Sequence, residues 1–268
     1  MCSAFRVSLL VLLLLIPPAT AKAGELKICA DPNNLPFSND KREGFENKII
    51  EIVARELGDT LDYVWRAQRR GLVTAALNEG ICDIIPGIGS VNGVLLTYPP
   101  YYRSSYAFVT RAGTAAISSF DDPRLRKLRV GVQLVGDDGA NPPPSVALSR
   151  RGIIDNVRGY SVVGDYAQAN PPARVIDAVA KGEVDVAIAW GPTAAYFAAR
   201  EQAPLTVTPV ANQFDMPNLP MAFDISMGLR LDDGALRKDV EGALKRRKRE
   251  IDAMLGDYDI PRLDEASP

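Results

Sequence analysis

The sequence predicts an α/β protein of two lobes, each with a mainly parallel sheet, joined by two crossing strands. Residues 27–90 alternate strand, helix, strand, helix and strand, which is the pattern of a parallel, doubly wound sheet. A second unit of similar order begins near residue 128. In each unit an acidic residue, Asp83 or Asp185, opens an apolar strand that runs into a loop with glycine and proline. This repetition favours two similar lobes over one continuous sheet.

The first 23 residues predict a secretory signal peptide. Arg6 precedes an apolar run over 7–16, and Ala21-Lys22-Ala23 fits an A-x-A cleavage site. The run is much shorter than the ~20 residues that a membrane-spanning helix needs, which disfavours the alternative of an uncleaved anchor. We therefore expect a mature chain that begins at Gly24, is exported to the periplasm and has no membrane span after signal cleavage.

Composition excludes several classes of function. The chain of 268 residues has a net charge of −2, which becomes −4 when Arg6 and Lys22 leave with the signal peptide. A mildly acidic protein is a poor candidate for binding nucleic acid, which requires a concentrated basic surface. The chain has no histidine, so Ser-His-Asp and Cys-His centres and histidine-ligated metals are excluded. We expect no enzymatic activity, no cofactor and no metal site.

A loop over 31–37 separates the first strand from the first helix. The strand that includes Lys27 stops at Asp31, and apolar side chains return at helical spacing from Phe45 to Leu57, where Gly58 ends the helix. The same periodicities and breakers predict strands at 61–65, 82–85, 106–110, 128–132, 156–160, 183–190, 205–210 and 219–230, and helices at 72–78, 145–151, 170 or 172 to 181, 193–200 and 235–255.

The connections between these elements predict where the lobes join. We expect an exit strand at 107–111 and a return strand near 207–211 to cross between the lobes, as in a hinged binding protein. The predicted boundaries are 24–109 plus 212–268 for lobe 1 and 110–211 for lobe 2. The loop over 31–37 then lies at the carboxyl end of a strand, where open α/β sheets meet their ligands.

Cys29 and Cys82 lie on two strands of lobe 1 in an exported protein, where disulfides can form. Adjacent strands are ~4.8 Å apart, which suits the Cα separation of a disulfide. However, Cys29 lies late in its strand and Cys82 early in its own, so the register decides between a bridge and two buried thiols. The sequence leaves both alternatives open.

Five strings of residues carry a family resemblance that extends over nearly all of the mature chain: 31–37, 44–46, 83–88, 100–104 and 182–186. They resemble the periplasmic solute-binding proteins related to the polar amino-acid receptors (family 3). This resemblance implies a type II periplasmic binding protein-like fold with a ligand cleft between the lobes.

A second set of strings resembles one branch of that family more closely: 30–38, 63–65 with 68–71, 132–133 with 136–141, 170–174 and 189–192. This branch is associated with pyrroloquinoline quinone (PQQ) dehydrogenases and comprises the J proteins of methanol oxidation (MxaJ/XoxJ type). The resemblance implies an accessory role, in which the protein binds a PQQ-dependent alcohol (methanol) dehydrogenase or helps it mature or become active. The cytochrome c of that dehydrogenase is a further candidate partner.

Two departures from the amino-acid receptors change the expected guest. Those receptors hold the ligand carboxylate with an arginine shortly after the segment corresponding to 87–89, because a guanidinium offers a bidentate fork. Residues 90–98 contain no arginine. The receptors also hold the ligand ammonium with an aspartate where alignment places Trp190. If the protein offers neither counter-charge, a zwitterionic ligand loses its hydration without a compensating ion pair. Capture of a standard α-amino acid is therefore not expected.

The predicted cleft residues come mainly from loops and strand ends in both lobes. The Asp and Asn residues of such loops either bind a guest or form hydrogen bonds with the backbone of their own turn. The aromatic residues either line the cleft or pack in the core. Tyrosine and arginine together suit a contact surface that is partly apolar and partly wet. The expected guest- or partner-binding residues are Asp31, Asn34, Phe37, Phe45, Arg69, Tyr101, Tyr102, Arg103, Gln133, Asp137, Asp138 and Trp190.

Two alternatives to the accessory role remain. The first is a solute-binding receptor of an ABC uptake transporter, with a small ligand that is not a standard α-amino acid. The second is a lyase or hydratase on a binding-protein scaffold. The absence of histidine and of a recognisable acid-base pair disfavours this second alternative.

Overall fold

The computed structural model describes residues 24–67, 72–89, 94–134, 141–162 and 168–263. The strands are β1 (Glu25–Ala30), β2 (Asn33–Asn34), β3 (Ser38–Asn39), β4 (Thr60–Trp65), β5 (Ile84–Ile88), β6 (Leu95–Leu96), β7 (Tyr102–Arg111), β8 (Val130–Leu134), β9 (Val157–Ser161), β10 (Val186–Trp190), β11 (Leu205–Pro209), β12 (Phe214–Met216), β13 (Leu219–Pro220) and β14 (Ala222–Leu229). The helices are α1 (Phe45–Leu57), α2 (Leu72–Asn78), α3 (Pro143–Arg150), α4 (Arg174–Ala180), α5 (Gly191–Ala198), α6 (Gly234–Arg246) and α7 (Lys248–Asp257). Within the described residues, no helix is both long and apolar enough to span a bilayer.

Two parallel sheet regions are joined by an antiparallel pair of long strands. Across the sheet the order is β4, β1, β5, β14, β7, β10, β8 and β9, with β6 beside β14 and β11 beside β7. β1 is parallel to β4 and β5, and β8 is parallel to β9 and β10. β7 and β14, in the middle, are antiparallel to each other. The predicted α/β class, with two mainly parallel regions and crossing strands, is confirmed.

The crossing strands lie elsewhere than the sequence predicted. Residues 102–105 of β7 face residues 222–225 of β14, and this pairing joins the two parallel regions. The segment 107–111, predicted as the exit, instead pairs with β11, the predicted return strand near 207–211. β7 is buried almost throughout, so its residue pattern does not reveal where it passes from one region to the other. The predicted lobe boundaries stay a prediction.

Glycines fix both ends of α1. A Cβ at Gly44 would lie 2.0 Å from the carbonyl oxygen of Phe37, so the preceding loop can close on the helix only because no side chain is there. Gly58 ends the helix at φ 79°, a left-handed conformation that favours glycine. The buried face of α1, which includes Phe45 and Ile49, packs against α6 and α7. This packing holds the first turn of α1 beside β5.

The C-terminal helix predicted over 235–255 is two helices, α6 and α7, separated at Arg247. Arg247 has φ −99° and ψ 10°. Arg246 and Arg247 both form ion pairs with Glu56 on α1, and these guanidiniums hold the pKa of Glu56 below its ordinary value. Adjacent residues of a straight helix point ~100° apart, so the break allows both arginines to reach one carboxylate.

A disulfide joins Cys29 and Cys82, whose Cα atoms are 5.6 Å apart. Both residues are buried, and they pack with Leu77 and Ile85 in a small apolar cluster beneath α2. Of the two alternatives that the sequence left open, the structure has the bridge. It ties the end of β1 to the segment just before β5, and both strands lead toward the cleft.

Candidate binding cleft

A cavity of about 160 Å³ lies where the carboxyl ends of strands from both parallel regions meet. β1, β5 and the first turn of α1 form one wall, and β8, β10 and the start of α5 form the other. The lining residues are Asp31, Asn34, Phe37, Glu46, Gly87, Tyr102 and Ile225 on the first side, and Tyr106, Gln133, Val162, Trp190 and Thr193 on the second. This edge of the sheet is where open α/β proteins bind their ligands.

Asp31 follows β1 and organises the loop behind it. Its Oδ1 accepts a hydrogen bond from the N–H of Asn33 at 2.8 Å, and its carbonyl accepts one from Ser38 Oγ at 2.8 Å. The side chain of Asn33 then reaches the opposite wall. Its Nδ2 donates to the carbonyl of Gln168 at 2.8 Å, and its Oδ1 accepts from the N–H of Asn170 at 3.2 Å. The loop therefore bridges the two walls through Asn33, which the prediction did not include.

Gln133 and Trp190 meet on the second wall. The N–H of Trp190 donates to Gln133 Oε1 at 2.8 Å, which ties the end of β10 to β8. The Trp190 ring packs edge-on against Tyr106 and Phe223, with centroid distances of 5.4 and 5.9 Å. Trp190 thus borders the cavity and also packs against the core, so both interpretations of this residue apply at once.

Glu46, in the first turn of α1, is the main cleft residue that the sequence prediction missed. It lines the cavity and is only 2% exposed. Burial raises the pKa of Glu46 to about 8, while the neighbouring Tyr101 hydroxyl acts in the opposite direction. The carboxyl lies against Gly87, where an added Cβ would be 1.9 Å from Oε1. The available signal was the string 44–46, one of those that carry the family resemblance.

Three predicted residues at the start of β7, 101–103, point in different directions. Tyr102 lines the cavity, and successive side chains of a strand point to opposite faces. Arg103 accordingly forms an ion pair with Asp224 of β14, Nη1 to Oδ1 2.8 Å, away from the cavity. The ring of Tyr101 borders a separate groove beside α6 and α7. The structure therefore does not bring Tyr101 and Arg103 into the lining of the cleft.

Phe45 also lies outside the cavity lining. It is fully buried and packs against the rings of Phe37 and Tyr102, at centroid distances of 5.4 and 5.8 Å. The apolar face of α1 points inward, so its first residue belongs to the core beneath the cleft. The remaining candidates, Arg69, Asp137 and Asp138, lie outside the described residues and stay predictions.

The described lining of the cavity combines aromatic rings with acceptors of hydrogen bonds. It includes the carboxyls of Asp31 and Glu46, the side-chain amides of Asn34 and Gln133, and no lysine or arginine. The described part of the chain also contains no group of three or more carboxylates or thiols that could hold a metal ion. The cavity is therefore suited to hydrogen-bond donors and apolar groups, and its described lining offers no cation to a guest's carboxylate.

Known proteins provide an independent comparison. No protein-family model matches the chain. It is 33% identical over 255 residues to a protein named MoxJ from Methylorubrum extorquens, covering 91% of this chain and 84% of the relative. It superposes on the periplasmic binding protein XoxJ from Methylobacterium extorquens AM1 with a TM-score of 0.72 and 34% identity, covering 90% of this chain and 100% of that one. For MxaJ from Methlophaga aminisulfidivorans the TM-score is 0.77 and the identity 28%, covering 89% and 100%.

These matches confirm the family resemblance that the sequence strings carry. They also confirm the periplasmic binding protein fold. Because the 33% identity to MoxJ covers 91% of this chain and 84% of MoxJ, the chain belongs to the MoxJ family.

Proposed function

We propose that this protein is a periplasmic accessory factor of a PQQ-dependent methanol dehydrogenase system. It binds the dehydrogenase, or a segment of it that has not yet folded, in the cleft between the lobes, and it catalyses no reaction itself. The observation that carries the proposal is the lining of the cleft, with aromatic rings and carboxyls but no cation among its described residues. Membership of the MoxJ family supports the link to methanol oxidation.

A free amino acid suits this lining poorly, whereas a polypeptide segment suits it well. The carboxylate of an amino acid would lose its hydration without gaining a cation from the described lining. A segment within a chain lacks that carboxylate. Its peptide groups can bond with the amides of Asn34 and Gln133, which both donate and accept. Its apolar side chains can pack against Trp190 and Tyr106.

Binding between the purified mature chain and the dehydrogenase tests the proposal directly. We expect the chain to bind the dehydrogenase prepared without PQQ, measured by biolayer interferometry, and to raise its activity on co-expression. Trp190→Ala should weaken binding by about tenfold or more, because buried tryptophans are frequent anchors of interfaces. The dehydrogenase's cytochrome c, immobilised in the same assay, tests the second candidate partner.

Trp65→Ala is the matched control. Trp65 ends β4, where its ring stacks on Tyr63 at a centroid distance of 4.6 Å, and it is not part of the cavity lining. This variant should bind within about twofold of the wild type, and circular dichroism should show both variants folded. A wild-type chain that neither binds the dehydrogenase nor changes its activity would contradict the proposal.

A second candidate function is that of a solute receptor for an uptake transporter. The observation that favours it is the size of the cavity, because about 160 Å³ suits a small molecule. A metabolite that raises the melting temperature in a thermal-shift screen would support it, as linkage requires. Permease and ATPase genes beside the gene would also favour the receptor, whereas dehydrogenase and cytochrome c genes there would favour the accessory role.

A further inference from the structure

Glu46 is a buried acid in the cleft wall for which the proposed function does not account. Only 2% of the residue is exposed, and its carboxyl lies beside the hydroxyls of Tyr101 and Tyr102 and against Gly87. Asp31, which is 4% exposed, lines the same cavity. The described lining of the cavity supplies no lysine or arginine to the Glu46 carboxyl.

The titratable groups that face Glu46 in the described part of the chain carry no positive charge. Tyr101 and Tyr102 approach it, and burial together with the negative charge of Glu46 raises the pKa of both phenols. Asp31, on the same wall, is an acid as well. Because burial raises the pKa of Glu46 to about 8, its carboxyl is mostly protonated at pH 7 when the cleft is empty.

We propose that the cleft binds its guest through a primary ammonium or guanidinium group, which forms an ion pair with the carboxylate of Glu46. The rings of Tyr102 and Trp190, which line the same cavity, are available for cation–π contact. Under the proposed function, on which this inference partly rests, the cation is a lysine or arginine side chain of the dehydrogenase. A free small amine would bring the same chemistry.

The ion pair requires a proton exchange. The neutral acid gives its proton to the solvent, and the guest's cation takes the place of that proton beside the carboxylate. At pH 7 each binding event should therefore release close to one proton. A guest held only by apolar contacts or by the amides of the cleft would release none, so proton release distinguishes the ion pair from other modes of binding.

Isothermal titration calorimetry of the mature chain tests this inference. The probes are Nα-acetyl-lysine methylamide, its norleucine analogue, which lacks the ammonium, and n-butylammonium. Titrations at pH 7 in phosphate and in Tris buffer give the number of protons released from the difference in enthalpy. We expect the lysine probe to bind at least tenfold more tightly than the norleucine probe and to release close to one proton. A lysine probe tighter than n-butylammonium indicates a polypeptide guest, and the reverse order indicates a free amine.

Two variants complete the experiment. Glu46→Gln should weaken the lysine probe at least tenfold and abolish proton release. Glu51→Gln, on the same helix but partly exposed and paired with Lys48, should change neither. Any one of four results would overturn the inference: equal affinity for the lysine and norleucine probes, no proton release, wild-type affinity in Glu46→Gln, or no binding of either ammonium probe at millimolar concentration. Because no dehydrogenase is present, such a failure is separate from a failure of the proposed function.

Discussion

Replacing Glu46 with glutamine should stabilise the protein at alkaline pH and change its stability little at pH 5. Glutamine has the shape of the protonated acid but cannot ionise. The pKa of the wild-type carboxyl rises from its ordinary value of 4.5 to about 8 on folding, because burial removes its hydration. Since the folded state has the higher pKa, the group contributes stability that is fully present below pH 4.5 and is lost as the pH rises through 8.

The size of this effect follows from linkage. Each pH unit between the two pKa values of Glu46 changes the free energy of unfolding by ~1.4 kcal/mol. Between pH 5 and pH 9 the wild type should therefore lose on the order of 4 kcal/mol through this one group. That is a substantial fraction of the ~5–15 kcal/mol by which domains are stable.

Urea unfolding at pH 5, 7 and 9 measures this loss, with the free energy obtained by linear extrapolation. The difference between Glu46→Gln and the wild type should grow by about 4 kcal/mol from pH 5 to pH 9. Glu51→Gln is the control, because Glu51 lies on the same helix but remains partly exposed. It should follow the wild type at every pH. A change below about 1 kcal/mol for Glu46→Gln, or an equal change in the control, would refute the reasoning.

Two further predictions concern the scaffold of the cleft. The Cys29–Cys82 bridge spans 53 residues, so a double Cys→Ser variant should lose about 4 kcal/mol of unfolding free energy by the chain-entropy relation, and dithiothreitol should lower the melting temperature of the wild type but not of the variant. Asp215→Asn should cost about 3 kcal/mol in urea unfolding, because Asp215 is 6% exposed and pairs with Arg151 through two 2.8 Å bonds. Asp224→Asn, at 57% side-chain exposure, should cost less than about 1 kcal/mol, and equal losses in the two variants would contradict the role of burial.

Local signals predicted the elements, but the points where elements meet were not visible in the sequence. The helix predicted from Phe45 to Leu57 has those bounds in the structure, because its apolar spacing and flanking glycines are adjacent in the chain. The break at Arg247 interrupts a continuous helical pattern, and Glu56, the ion-pair partner of Arg247, lies on a different helix. The crossing point within β7 was likewise hidden, because a strand buried on both sides has no alternation to read.

The candidate site shows the same limit. Asp31 and Trp190 were predicted because each ends a strand in a distinctive string, and both line the cavity. Glu46 was missed because an acid in the first turn of a helix ordinarily satisfies the helix terminus, and only the approach of Gly87 and the burial of the wall give it another role. Asn33 was missed because its partners, from residues 168–170, come from the opposite wall.

The ionisation of Glu46 links guest binding to stability. If the guest's cation requires the ionised carboxylate, its affinity includes the cost of removing the proton, so binding should strengthen about tenfold per pH unit up to pH 8 and then level off. Alkaline pH, which destabilises the empty protein, thereby strengthens the complex. The rise in melting temperature caused by a fixed concentration of the capped lysine probe should be larger at pH 9 than at pH 6. Equal rises would mean that Glu46 keeps its proton in the complex, and the guest would then be held by the amides and rings of the cleft alone.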